Sequence, residues 1–147
     1  MTPTNSIYDR IQDYLSVFHD FRSEKGETLT QVFECSEDHC KNLYILRFES
    51  RSLLLSANEA DDTIDVAAQP NVSPLHESCV CVSDNQPWKH LVGTDFGWGW
   101  VVINQQGYCD GVMLSFGGIV PTVLFTVMAS SITVSVISAT RKSKTAM

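Results

Sequence analysis

Apolar residues near the start of the chain recur at the spacing of one helix face. They lie three or four positions apart, so the pattern predicts a helix over residues 6–21. Ser6 suits the N-cap of this helix, because its hydroxyl can accept a hydrogen bond from the first turn. The predicted apolar stripe consists of Ile7, Ile11, Tyr14, Leu15 and Phe18.

After residue 26 the pattern changes to short runs that are typical of strands, rich in β-branched residues or alternating between apolar and polar positions. In one run Tyr44, Leu46 and Phe48 share a face. The predicted strands cover residues 28–35, 42–49, 53–57, 63–68, 98–103, 108–116, 119–129 and 132–137, with a short strand at 78–83 and one helical turn at 87–92.

Short polar connections between these runs predict a meander, in which each strand pairs with the one before it. The segment Asn104-Gln105-Gln106-Gly107 is typical of a hairpin loop. The predicted fold class is α+β, with an N-terminal helix packed on a bent, mostly antiparallel sheet of about seven or eight strands. Since no repeat or linker interrupts the pattern, residues 1–147 are expected to form a single domain.

Residues 112–139 contain no charged side chain and precede Arg141 and Lys142, so hydropathy alone would allow a membrane anchor. The pattern favours strands instead. Gly117, Gly118 and Pro121 interrupt the segment, and residues 132–136 alternate between branched apolar and hydroxyl side chains. We therefore expect two adjacent strands and no membrane anchor.

The charge balance limits the classes of partner. Lys and Arg number 10 against 17 Asp and Glu, which gives a net charge of −7. Such a chain repels phosphate backbones, so nucleic acid is not expected as a partner. A basic protein is the partner that this charge favours, although the same charge also serves plain solubility.

The five cysteines are an odd number, and the polar N-terminus lacks the pattern of an export signal. Both observations predict a reducing, cytoplasmic compartment in which free thiols mostly pack as small core residues. The spacings of the pairs Cys35/Cys40 and Cys79/Cys81, with His39 and His76 nearby, fit a zinc site poorly. We expect no metal and no cofactor.

Four acidic residues, Glu59, Asp61, Asp62 and Asp65, cluster around one predicted turn. Their spacing lacks the regular pattern of a calcium loop. Two interpretations remain open: an acidic rim that docks a basic partner, and a solvated turn without a role.

Aromatic residues are dense in the C-terminal half, where Trp98 and Trp100 would share one face of a strand. They fit core packing, and they also fit an exposed anchor at a partner-binding surface. Asp110 stands inside an otherwise apolar strand and should be partly buried, because a buried carboxylate needs a partner. Candidate hydrogen-bond donors are Asn104, Gln106 and Tyr108, and Arg47 could supply charge.

No nucleophile elbow, zinc-protease motif or phosphate loop is present, so we assign no catalytic residue. Residues 96–116, with Trp100, Asn104 to Tyr108 and Asp110, resemble small bacterial domains of unknown function, as do residues 53–66. In size and acidity those domains resemble immunity proteins that neutralise polymorphic toxins. The resemblance implies a binding protein without catalytic residues.

Three functional hypotheses follow. The first is an immunity-type inhibitor, not an enzyme, that covers a basic toxin. The second is a small-molecule binder or small enzyme with a site near Asp110 and Tyr108. The third is an accessory subunit of a larger assembly.

Overall fold

A computed structural model of the chain describes residues 7–22, 27–71 and 78–138. Helix α1 covers Ile7–Phe21 and buries Tyr14, Phe18 and Phe21. The predicted helix is thereby confirmed, except at Ser6, which lies outside the described residues. Of the predicted stripe, Ile7 and Leu15 are exposed, because the helix turns its Tyr14 and Phe18 side towards the sheets.

Nine strands follow in the described chain, and they form two antiparallel sheets. Their order is β4-β3-β2-β1-β5 in the first sheet and β6-β7-β8-β9 in the second. The strands are β1 (Leu29–Glu37), β2 (Cys40–Phe48), β3 (Arg51–Asn58), β4 (Thr63–Pro70), β5 (Cys79–Cys81), β6 (Phe96–Ile103), β7 (Cys109–Phe116), β8 (Val123–Met128) and β9 (Ser131–Val136).

The α+β class and the antiparallel pairing are confirmed, and the single bent sheet is resolved into two. The meander holds from β1 to β4, after which the chain reaches the opposite edge of the first sheet to form β5. A 3₁₀ turn at Trp88–His90, near the predicted helical turn, then leads to the second sheet. The sequence pattern of a strand does not predict such a crossing, because the pattern is the same whichever neighbour the strand pairs with.

The core lies between the two sheets, and α1 closes one side of it by packing on β4 and β6. Gly99 makes this contact possible, since a Cβ at that position would lie 2.4 Å from the Phe18 ring. Aromatic rings fill the space behind the helix: the Phe21 and Phe48 centroids are 5.0 Å apart, and Phe48 lies 6.0 Å from Phe96. Burial of such rings is the main favourable term in a domain of this size.

The charge-free segment contains the second half of β7 and the whole of β8 and β9, which are the two adjacent strands predicted; Ala139 lies outside the described residues. β8 begins at Val123 rather than at residue 119, because Ile119 and Val120 lie in an exposed bend that follows Gly117-Gly118. No described helix is long and apolar enough to cross a membrane.

The prediction of free thiols is wrong for two of the five cysteines. Cys35 on β1 and Cys79 on β5 are directly opposed and form a disulfide. Cys40, Cys81 and Cys109 are free, and Cys81 is exposed rather than packed in the core. The expectation of a reducing compartment rested on free thiols and loses that support, since disulfides persist mainly in oxidising compartments.

Candidate partner-binding site

Three turns meet at one end of the molecule: β3–β4, β6–β7 and β8–β9. They surround an open cleft of about 780 Å³, which we call the acidic cleft. Two groups of residues that the sequence singled out separately are thus brought together. Its principal lining residues are Glu59, Asp61, Asp62, Asp110, Tyr108 and Met128.

The β3–β4 turn is shaped by Asn58, whose carbonyl oxygen accepts from the Asp62 backbone N–H at 2.9 Å and whose Oδ1 accepts from the Ala60 N–H at 3.0 Å. Asp62 has a φ of 56°, in the left-handed region that aspartate tolerates better than most residues. The turn therefore presents three carboxylates, those of Glu59, Asp61 and Asp62, within four residues.

The β6–β7 turn depends on Asn104. Its Oδ1 accepts hydrogen bonds from the backbone N–H groups of Gln106 at 2.8 Å and Tyr108 at 3.2 Å. Gly107 has a φ of 88°, which favours glycine at that position. The Asn104 Nδ2 donates to Asp110 Oδ2 at 3.1 Å, so the same side chain shapes the turn and holds the carboxylate.

The expected partial burial and hydrogen bonding of Asp110 are confirmed. Asn104 supplies the bond, and no described basic residue forms an ion pair with Asp110, so the suggested role of Arg47 is wrong. Tyr108 contributes through its backbone, which pairs with Asn104. The Tyr108 side chain is 49% exposed at the cleft rim, where a partner can reach it.

A contact between turns of the two sheets fixes the acidic side of the cleft. The Asp62 Oδ1 accepts from the backbone N–H of Ser130 at 3.0 Å, across 68 positions of sequence. Ala129 and Ser130 have φ values of 52° and 66°, the combination found in tight hairpin turns whose twist matches the strands. This hydrogen bond therefore fixes the position of the two sheets relative to each other at this end of the molecule.

Helix α1 supports the same turn through Arg10. Its guanidinium lies 3.8 Å from the Asp61 carboxylate and donates to Thr63 Oγ1 at 3.2 Å, while Thr63 donates to Asp61 at 2.6 Å. Because Arg10 is partly exposed, solvent screens the pair and its contribution to stability is small. Its main effect is to hold Asp61 in one orientation.

The remaining acidic residue of the predicted cluster, Asp65, faces α1. It accepts from the Tyr14 hydroxyl at 2.9 Å and from Asn58 Nδ2 at 3.4 Å. Glu59 differs from the other three, because no hydrogen bond or ion pair joins its side chain to another described residue. Its charge is available to a partner without the loss of an internal contact.

The groups near the cleft floor hold their protons. Burial raises the pKa of the Cys109 thiol to about 11, only partly opposed by a backbone hydrogen bond with Gly111 and by the charge of Arg10. Burial, followed by the bond to Asp65, raises the pKa of Tyr14 above its usual range. A protonated thiol is a weak nucleophile. The arrangement is chemically suited to binding cationic groups, and within the described residues no three His, Cys, Asp or Glu side chains are placed to hold a metal.

The two tryptophans proposed as anchors lie elsewhere. Trp98 is 43% exposed near the start of β6, and the Arg22 guanidinium lies 4.6 Å from the centroid of its ring. Trp100 is half-buried on the same strand. Six residues of strand, roughly 20 Å, separate Trp98 from Asn104. A single partner surface does not include both Trp98 and the acidic cleft unless it is large.

Sequence reasoning missed Arg10, Ser130 and Met128 as parts of this site. Arg10 lies on the polar side of a helix and Ser130 in a turn of the other sheet, and neither carries a local signal that would connect it to Asp61 or Asp62. Met128 lay inside the predicted strand 119–129; it is the last residue of β8 and is 73% exposed at the rim.

The fold defines the chain as a small α+β domain of two antiparallel sheets closed on one side by a helix. The chain belongs to a family of unknown function, DUF6334, whose model matches residues 14–141. This confirms the resemblance to domains of unknown function, and nothing in it links the family to immunity proteins. No curated protein and no solved structure matches the chain.

Proposed function

We propose that the protein is a binding module that docks a basic protein partner in the acidic cleft, and that it acts as an immunity-type inhibitor which neutralises a toxin. The observation that carries the proposal is the composition of the cleft: four carboxylates line it, and none of its lining residues is basic. Convergent like charges create a local negative potential, which accelerates encounter with a basic surface.

The rim adds contacts of another kind. Tyr108 and Met128 are both exposed there, and these residue types are enriched where proteins bind each other. The aliphatic stem of a lysine or arginine can pack on them while its charged end reaches Glu59 or Asp62. The cleft is thus complementary to a basic side chain as a whole, not only to its charge.

The second candidate is a small-molecule binder, which the size of the cleft favours, since ligand sites commonly measure about 300–1,000 Å³. The raised pKa of Cys109 weakens the enzyme version of this candidate. An accessory subunit would use the same cleft on a permanent partner. A cytoplasmic location is part of the proposal, and the Cys35–Cys79 disulfide counts against it.

The test begins with co-purification from the native host and with the products of neighbouring genes. Association rates are then measured at two salt concentrations for the wild type, for Glu59→Gln and for Glu49→Gln. Glu49 is a matched control, because it is exposed in the β2–β3 turn at the other end of the first sheet. Neither change removes an internal hydrogen bond of the carboxylate.

We expect Glu59→Gln to slow association at low salt, with little change in the dissociation rate, and salt to remove the difference. Glu49→Gln should behave as the wild type. Equal rates for all three proteins at low salt would exclude the cleft from the interface. If the partner binds but is equally toxic in cells that co-express this protein, docking stands and the immunity part of the proposal is wrong.

A further inference from the structure

A second cleft, of about 580 Å³, lies on the other side of the β8–β9 turn. We call it the β9 groove. One wall is the start of β9, residues 131–134, and the other is the segment 85–88 that leads into the 3₁₀ turn. Tyr44 and Trp88 lie at its floor, where the two ring centroids are 6.4 Å apart. The groove shares no lining residue with the acidic cleft.

The wall formed by β9 is an open sheet edge. Within the described chain β9 pairs with β8 alone. Ile137 donates to the Thr122 carbonyl at 2.8 Å, and bonded and non-bonded pairs alternate along an antiparallel ladder. Ser135 and Thr133 therefore exchange hydrogen bonds with β8, while the backbone N–H and C=O groups of Ile132 and Val134 point away from it, towards the groove.

Among the described residues, the other sheet edges are covered or very short, and β9 is neither. Helix α1 packs on β4 and β6, and β5 has only three residues and is tied to β1 by the disulfide. Proteins usually protect a free edge with a charge, a proline or a bulge. The sequence of β9, Ser-Ile-Thr-Val-Ser-Val, has neither charge nor proline, and its register with β8 is unbroken.

We propose that the β9 groove binds an extended peptide segment of a partner protein, which adds to β9 as an outer strand. Unpaired backbone groups of a regular strand recognise the backbone of another strand. Alternate side chains of the added segment would face the floor, where Trp88 is 3% exposed beside Tyr44, so an apolar residue fits that position.

The size of the groove favours a single peptide over a second copy of this chain. Its volume of about 580 Å³ lies within the range of ligand sites, about 300–1,000 Å³, and suits a short extended segment. The β9 strand of a second copy would bring its β8 and the rest of its second sheet with it, which is far more than a groove of this volume holds. This inference goes beyond the proposed function, because it concerns backbone recognition at a site without a cluster of carboxylates.

The experiment uses a random peptide library displayed on phage, selected on the full chain, followed by synthetic versions of the enriched peptides. Each peptide is made with N-methyl groups on one set of alternate residues or on the other. Methylation on the side that faces β9 removes the pairing bonds, whereas methylation on the far side leaves them intact. We expect the first set to bind roughly tenfold or more weakly and the second to bind as the parent peptide does.

A protein variant tests the same bonds from the other side. Val134→Pro removes an N–H that points into the groove and leaves the bonds to β8 in place, so the fold is expected to persist. It should lose the peptide, and the wild-type amides of Ile132 and Val134 should become protected from hydrogen exchange when the peptide binds. If Val134→Pro does not fold, the N-methyl peptides decide the question without it.

Several results would overturn the proposal: no enriched peptide, equal binding of both N-methyl sets, or full binding by a folded Val134→Pro. A dimer in solution whose formation protects Ile132 and Val134 would assign the edge to a second copy instead. Loss of peptide binding in Glu59→Gln would place the peptide in the acidic cleft. That last result would separate the two proposals, because it supports the proposed docking site and excludes this one.

Discussion

Each of the two clefts is associated with a buried tyrosine whose hydroxyl donates to a carboxylate. Tyr14 donates to Asp65 at 2.9 Å beside the acidic cleft, and Tyr44 donates to Glu34 at 2.5 Å in the β9 groove. Burial raises the pKa of both tyrosines, and the neighbouring carboxylate raises it further. The two pairs differ in the contacts that hold the surrounding elements in place.

On the acidic side the structure is held by hydrogen bonds between distant elements, such as Asp62 with the Ser130 N–H and Arg10 with Thr63. On the groove side it is held by packing and by a covalent bond. The Trp88 ring lies 5.9 Å from Phe125, and the disulfide fixes β5, which leads directly into residues 85–88. The acidic cleft should respond to salt and to charge changes, and the β9 groove to changes in packing.

The largest effect is expected from the disulfide. In the chain-entropy account, a crosslink across 44 positions stabilises the fold by about 2–4 kcal/mol. We compare Cys79→Ser/Cys81→Ser with Cys81→Ser alone, because the double change prevents Cys81 from replacing Cys79. The double variant should lose that much free energy of unfolding, and hydrogen exchange should accelerate at residues 82–88 while residues 58–65 stay protected.

Cys81→Ser is the matched control, since it removes an exposed thiol and keeps the crosslink. Equal stability of the two variants under oxidising conditions would mean that Cys35 and Cys79 do not pair in solution. Faster hydrogen exchange at residues 58–65 as well as at residues 82–88 would mean that the disulfide stabilises both clefts.

The disulfide also shows where sequence reasoning stops. The helix and most strands could be predicted because their periodicity is local, as the agreement at Phe21 and at the hairpin loop before Tyr108 shows. Cys35 and Cys79 meet only because the chain passes from β4 to the far edge of the first sheet. The pairing depends on the topology of the sheet, and the spacing of the cysteines along the sequence does not predict it.

The candidate site was predictable in its parts but not as a whole. The sequence showed an acidic cluster on the turn from Glu59 to Asp62. It also showed a carboxylate, Asp110, inside an otherwise apolar strand. Their convergence depends on the packing of the two sheets and on the contact of Asp62 with Ser130, across 68 residues. Glu59 could not be distinguished from its acidic neighbours by sequence, because its freedom from internal contacts is a tertiary property.

A smaller effect, confined to the acidic side, is expected from Asp110→Ala. The substitution removes the acceptor of the Asn104 amide and should lower the free energy of unfolding by about 1–3 kcal/mol. Asp84→Ala, at an exposed position in the loop after β5, should change it by less than about 0.5 kcal/mol. An unchanged melting temperature in Asp110→Ala would make Asp110 a surface residue and a stronger candidate for direct partner contact.

The smallest effects at neutral pH are expected from Tyr14→Phe and Tyr44→Phe. Each removes one hydrogen bond to a carboxylate and keeps the ring, so each should cost about 0.5–1.5 kcal/mol. Tyr8→Phe is the control, because Tyr8 is exposed on the same helix as Tyr14 and its loss should leave the neutral stability unchanged. Urea unfolding at pH 7 measures all three changes.

Alkaline pH should then reveal the proton that each buried tyrosine keeps. In the unfolded chain a tyrosine releases its proton near pH 10, whereas the raised native pKa keeps the proton on Tyr14 and Tyr44 above that pH. Stability is therefore fully present below about pH 10 and falls as pH rises towards the native pKa, because the unfolded state then binds fewer protons than the native state. Each Phe variant should make that fall shallower.

Arg10 gives the two tyrosines different neighbours. Its positive charge lowers the pKa of Tyr14 and so opposes the effect of burial, whereas every influence on Tyr44 raises the pKa. Arg10→Gln should therefore raise the native pKa of Tyr14 and extend the alkaline loss of stability to higher pH, because the native state then keeps the proton longer than the unfolded state does. The same change should have no such effect in Tyr14→Phe, and it should keep its effect in Tyr44→Phe. An equal effect of Arg10→Gln in the wild type and in Tyr14→Phe would mean that the guanidinium does not act on the Tyr14 hydroxyl.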